Sequence, residues 1–288
     1  MEALSITPRI QDWLLETTEA KVMYCSDKVC NLINTHEGVI SITTPRVHHG
    51  PFSVMIPPID LSLYVNSKVN VSTIPNGLQV GTLEIDTRFA QLWDPEPPWF
   101  SFKERNALCK DGLHIVIEIL TQFAPPESLA GLVAHLPRAQ SPIEEKILAL
   151  AREPANQLIR GLQTDDANQC ARGASGLAGL GVGYTPDGDD WILGSLLAAW
   201  ISKPSQEAKR LSTAIAEAAM PLSTPISAAW IGAASRGECA EPWHNFFDCL
   251  STGSENKIRE ASKQLISLGH SSGASALAGF LALFNGKM

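Results

Sequence analysis

One stretch of this chain contains no alanine, and another is rich in it. Across residues 22–87, 22 of 66 side chains are Val, Ile or Thr and none is Ala; across 188–288, 10 of 101 are Val, Ile or Thr while 17 are Ala. β-branched side chains suit a pleated surface and crowd a helix, whereas Ala is the strongest helix former. A chain divided in this way is expected to be α+β with segregated halves: an N-terminal antiparallel sheet or small barrel, then a mainly α-helical half. The run Trp-Asp-Pro-Glu-Pro-Pro-Trp at 93–99 breaks regular structure between them. The expected domains are a mainly β domain over 1–100 and a mainly helical domain over 101–288 that carries the glycine-rich loops.

Turn residues divide the first half into expected strands at 28–34, 39–43, 52–56, 61–65, 68–73 and 78–86, preceded by a helix over 8–23. Helical patterns follow at 103–123, 142–157, 165–177, 188–201, 205–219, 224–234, 242–250, 254–268 and 272–284.

The net charge of −8 leaves no basic excess to neutralise phosphates, which argues against a nucleic-acid partner. The longest weakly polar runs, 192–201 and 274–284, are half of the roughly 20 residues a spanning helix needs, so no membrane role is expected. No basic stretch followed by an apolar one opens the chain, and its six cysteines form no Cys-x-x-Cys pair. Free thiols in a reducing, cytoplasmic setting are the expectation.

The densest unusual segment is Gly176-Leu-Ala-Gly179-Leu-Gly181-Val-Gly183-Tyr-Thr185-Pro186-Asp187-Gly188-Asp189-Asp190. So many glycines cost chain entropy and point to sharp turns or to backbone approached by a ligand. Thr185 reads as an N-cap, Pro186 as the first helical residue, and the aspartates as first-turn acids. Helix starts present unpaired N–H groups suited to phosphate or carboxylate. Asp189 nevertheless aligns with Leu193, Leu196 and Trp200, and Asp190 with Gly194, Leu197 and Ile201, so each begins an inward stripe. Two roles stay open for the pair: capping the helix, or orienting a substrate, cation or proton. The glycine spacing fits neither a dinucleotide fingerprint nor a P-loop.

Leu268-Gly269-His270-Ser271-Ser272-Gly273 opens a second helix, and Thr224-Pro225-Ile226-Ser227 a third. His270 either titrates near neutral pH or is a hydrogen-bonded structural group. The three helix starts could converge on one anion, or each could be an ordinary cap. The adjacent His48 and His49 make a poor chelate and suit a solvent-facing or interface role.

The 179–190 segment resembles the G-L-G-x-G-L-T-P-S-G-D-D signature of a bacterial family that includes an oxamate carbamoyltransferase subunit of anaerobic allantoin breakdown, a branch of purine catabolism. The following helix, the Thr224–Ser227 helix start and the Gly269–Gly273 segment are similar to it as well. Two departures stand out: Asp187 replaces the usual Ser, and an acidic residue common near position 275 is absent, Ser275 standing there.

The resemblance implies phosphorolysis of oxalurate to oxamate and carbamoyl phosphate, with other subunits supplying part of the site. On that reading Asp189, Asp190 and His270 are the expected catalytic residues. Gly181, Gly183, Thr185, Gly188, Thr224, Ser227, Ser271, Ser272 and Gly273 are the expected contacts to a small carboxylate or phosphate. No metal ligand and no cofactor are expected; magnesium would find only Asp187, Asp189 and Asp190, with no histidine or further acidic cluster beside them. The competing reading is a non-catalytic scaffold or anion-binding subunit, whose glycine loops only build helix packing.

Overall fold

The structure, a computed structural model, describes residues 1–66, 68–105, 110–134 and 141–285. The chain divides into two compact units, Met1–Pro95 and Glu96–Met288. A boundary at residue 100 would place Trp99 in the sheet unit. Instead Trp99 is buried in the helical core, and its indole N–H donates to the Gly237 carbonyl at 3.0 Å.

The first unit runs β1 (Ser5–Ile6), α1 (Pro8–Glu16), β2 (Ala20–Cys25), β3 (Val29–Asn34), β4 (Val39–Thr43), β5 (Ser53–Met55), β6 (Val71–Ile74), β7 (Gly77–Val80), β8 (Leu83–Asp86) and β9 (Gln91–Leu92). Among the described residues these strands form one curled sheet in the order β8-β7-β6-β2-β3-β4-β5-β1-β9. Most pairs are antiparallel; β4 with β5 and β1 with β9 are parallel. The chain ahead of β1 pairs Glu2 with Asp86 of β8, joining the far end of the sheet to its start. Ile10 and Trp13 of α1 lie in the apolar core with Leu32, Ile42 and Val54 of the sheet.

Three expectations shift here. The helix expected over 8–23 ends at Glu16, where Thr17 is already extended, and Ala20–Cys25 becomes a strand because Val22 and its neighbours pair with β3. The 61–65 strand is replaced by a short 3-10 turn, Leu61–Leu63, whose start Asp60 caps by accepting from the Ser62 amide. The 78–86 strand splits into β7 and β8 at Gly81, where φ is +60°. His49 sits inside this unit, 3.1 Å from the Ser5 hydroxyl and stacked on Trp93.

The second unit runs α2 (Trp99–Glu104), α3 (Lys110–Phe123), α4 (Pro142–Thr164), α5 (Ala167–Leu177), α6 (Asp187–Ser202), α7 (Ser205–Ala219), α8 (Pro225–Ser235), α9 (Glu241–Thr252), α10 (Glu255–Ile266) and α11 (Ser272–Ala282). Part of the helix expected over 103–123, residues 106–109 with Cys109, lies outside the described residues. The five other cysteines are free thiols. No helix among the described residues is long and apolar enough to cross a membrane.

Helix α6 is apolar on nearly every side and forms the centre of this unit. It packs against α11 with their backbones in direct approach. A Cβ added at Gly194 would lie 1.7 Å from the Ala276 carbonyl oxygen, and one at Gly279 2.2 Å from that of Trp191. The Ser195 hydroxyl spans the same contact, 3.0 Å from the Trp191 carbonyl and 3.3 Å from that of Gly279. The starts of α6 and α11 are thereby fixed side by side.

Candidate functional site

The loop from α5 into α6 wraps the first turn of α6. Its backbone takes positive φ at Gly179 (+71°), Gly181 (+132°) and Gly183 (+93°), which L side chains adopt at a cost. At Gly181 space is also missing: a Cβ would meet the Asp187 amide nitrogen at 2.7 Å. Gly188 lies against the Leu177 carbonyl, and its amide donates to Leu180 at 2.8 Å. Gly183 has open space around it.

The expected cap at Thr185 is displaced by one residue. Pro186 is the N-cap of α6 and Asp187 the first helical residue, while the Thr185 hydroxyl shares a 2.9 Å hydrogen bond with Ser272 at the start of α11. The amides of Asp189 and Asp190 donate to the Pro186 carbonyl, and that of Gly273 donates to Leu268. These helix-start amides, expected to receive an anion, are already engaged inside the fold.

All three first-turn aspartates are buried. Asp187 accepts from the Ser275 hydroxyl at 2.7 Å, and Ser275 in turn accepts from the Leu129 amide at 3.0 Å. Asp189 accepts from the Gly179 amide and the Ser223 hydroxyl, each at 2.8 Å. Asp189 and Asp190 each leave Oδ2 buried with no close hydrogen-bond partner. Burial raises the pKa of each above the ordinary carboxylate value. For Asp187 the Ser275 and Ser271 hydroxyls partly offset burial; for Asp189 the Gly179 amide and Ser223 do. For Asp190 the rise is large, because only Ser272 opposes burial while the charges of Asp187 and Asp189 add to it. Among the described residues, no group of three or more His, Cys, Asp or Glu is placed to hold a metal ion.

Asp190, Thr185 and Ser272 form a polar wall of a cavity of about 250 Å³, completed by Leu193, Trp230, Glu238, Cys239, Ala240, Trp243, Leu268, Gly269, Gly273 and Ala276. The volume is just under the roughly 300 Å³ at which drug-sized pockets begin, so it suits a small metabolite. The loops at 181–190 and 269–273 therefore meet, joined by the Thr185–Ser272 hydrogen bond and sharing the cavity wall. Thr224 stands beside the first loop: it caps α8 by accepting from the Ser227 amide and donates to the Tyr184 carbonyl at 2.7 Å. Ser227 is buried, and its hydroxyl is among the groups that partly offset the burial of Asp189.

His270 is placed differently from the expected proton shuttle. Its ring is exposed, its Nε2 pairs with Glu127 at 2.5 Å, and it does not line the cavity although its neighbour Gly269 does. Glu238, Cys239, Trp230 and Trp243 were not anticipated. They come from α8, α9 and the turn between them, whose aromatic and apolar residues read as ordinary core. The one signal is the charged pair around Gly237, where φ is +84° and Arg236 grips Glu238 through two bonds of 3.0 and 2.9 Å.

The cavity, both glycine loops and all three aspartates lie within one segment of the second unit. Residues 177–284 match the family described as oxamate carbamoyltransferase subunit AllH. The family is the one the 179–190 segment resembles, and the AllH match runs from the last residue of α5 past the end of α11. No solved structure matches the chain.

Proposed function

We propose that this chain is a subunit of an oxamate carbamoyltransferase-type enzyme, acting in the cytoplasm with partner subunits and with no cofactor of its own. The observation that carries the reading is the largely buried Asp190 in the wall of a small cavity within the AllH-matching segment. In phosphorolysis a phosphate oxygen adds to the ureido carbonyl carbon of oxalurate. The bond from that carbon to the oxamate nitrogen breaks, the nitrogen gains a proton, and the phosphate loses one.

Burial holds Asp190 toward its protonated form, so it is suited to donate to the leaving nitrogen and to take the proton back in the reverse direction. Thr185 and Ser272 are hydroxyl contacts for the substrate in the same wall. Asp189 acts as a positioning residue, tying Gly179 and Ser223 to the start of α6. Transition-state charge on the carbonyl oxygen requires donors beyond those this cavity offers, which the partner subunits supply.

A second reading, a non-catalytic scaffold or anion-binding subunit, is favoured by the engaged amides of Gly188, Asp189, Asp190 and Gly273. The test is to mix the purified chain with its partner subunits, oxalurate and phosphate, and to follow carbamoyl phosphate. Formation that depends on this chain supports the enzyme reading. Equal formation without it supports the scaffold.

A further inference from the structure

We infer that the cavity receives the uncharged amide end of a substrate and excludes its anionic end, with Glu238 as a specificity-determining residue. The inference deepens the proposed reaction and rests on it for the choice of ligand. The lining carries two carboxyl groups, Asp190 and Glu238, and two hydroxyls, Thr185 and Ser272; among the described residues none of the lining is Lys, Arg or His. The remainder is largely apolar, with Leu193 and Trp243 among it.

An anion entering this space would shed water and find no cation in the wall to replace it. Glu238 brings a carboxylate to the wall, and Arg236 fixes its orientation with a two-point grip from Nε and Nη2. A second negative group beside it would be repelled. An amide has no such cost. Its N–H groups need acceptors, which two carboxyl groups supply, and its carbonyl needs a donor. The Thr185 and Ser272 hydroxyls in the same wall are donors of that kind. Asp190 is nine-tenths buried in this wall, and its Oδ2 lies inside the fold.

The test uses three ligands of one shape: oxamide, neutral with two amides; oxamate, with one amide and one carboxylate; and oxalate, with two carboxylates. Each is titrated into the full chain by calorimetry. The expected order is oxamide tighter than oxamate, and oxamate tighter than oxalate, with about tenfold or more between the extremes. Glu238→Gln, checked for retained melting temperature, should narrow that ratio. Oxalate binding as tightly as oxamide, or no binding by any of the three, overturns the inference. The two claims fail separately. A wild-type order as expected with no carbamoyl phosphate from the assembled enzyme sinks the reaction and keeps the cavity assignment. Turnover with oxalate bound most tightly does the reverse.

Discussion

The carboxylate of Asp187 and the hydroxyl of Ser275 are bonded to one another at 2.7 Å across the contact between α6 and α11. Ser275→Ala should cost about 1–3 kcal/mol, because it removes one hydroxyl donor from the buried Asp187 carboxyl and leaves the Leu129 amide without its acceptor. The double exchange Asp187→Ser with Ser275→Asp should recover most of that loss in denaturant unfolding. A double variant as unstable as the sum of the two single ones would contradict the pairing.

The helix contact itself makes a second prediction. Gly194→Ala places a methyl group 1.7 Å from the Ala276 carbonyl oxygen, so α6 and α11 must separate. The expected loss is about 3 kcal/mol or more, measured by urea unfolding. Gly183→Ala meets open space and only a backbone penalty, so it should cost far less.

Stability should depend on pH with a definite sign. Asp187, Asp189 and Asp190 are raised above the ordinary carboxylate value of 3.8, so over the window above that value the folded chain holds protons that the unfolded chain has released. Their contribution is fully present below that value and is lost as pH rises through the raised folded values. Asp190→Asn removes the largest of these penalties. It should melt at or above wild type at neutral pH and show a shallower decline toward alkaline pH. A lower melting temperature with an unchanged pH slope would mean that Asp190 is held as a charged cap.

His270 gives a contrasting case. Its ring is exposed and pairs with Glu127 away from the cavity lining. His270→Ala should change turnover of the assembled enzyme by less than about threefold. A loss of a hundredfold would return it to the mechanism.

The segregation of sheet from helix was legible because it is written in residue type: Ala-free β-branched sequence on one side, Ala-rich sequence on the other. What sequence could not place was the exchange from α1 to β2, where Ala20–Cys25 becomes a strand only because β3 and β6 pair with it. The two glycine loops were visible as loops. Their meeting through Thr185 and Ser272 depends on the close approach at Gly194 and Gly279, a relation between distant residues that no local pattern carries. Glu238 and Trp243 were hidden for the opposite reason. They sit in and beside an ordinary amphipathic helix, and only the folded chain turns them toward Asp190.

The central claim is that Asp190 moves the proton on the substrate nitrogen. Its most direct test is the pH dependence of kcat for oxalurate phosphorolysis by the assembled enzyme, wild type against Asp190→Asn. The account predicts a wild-type rate that falls as pH rises through a pKa well above the ordinary carboxylate range. It also predicts an Asn variant that folds but is slower by about a hundredfold or more, with that limb gone. An Asn variant with wild-type kcat and an unaltered pH profile would contradict it.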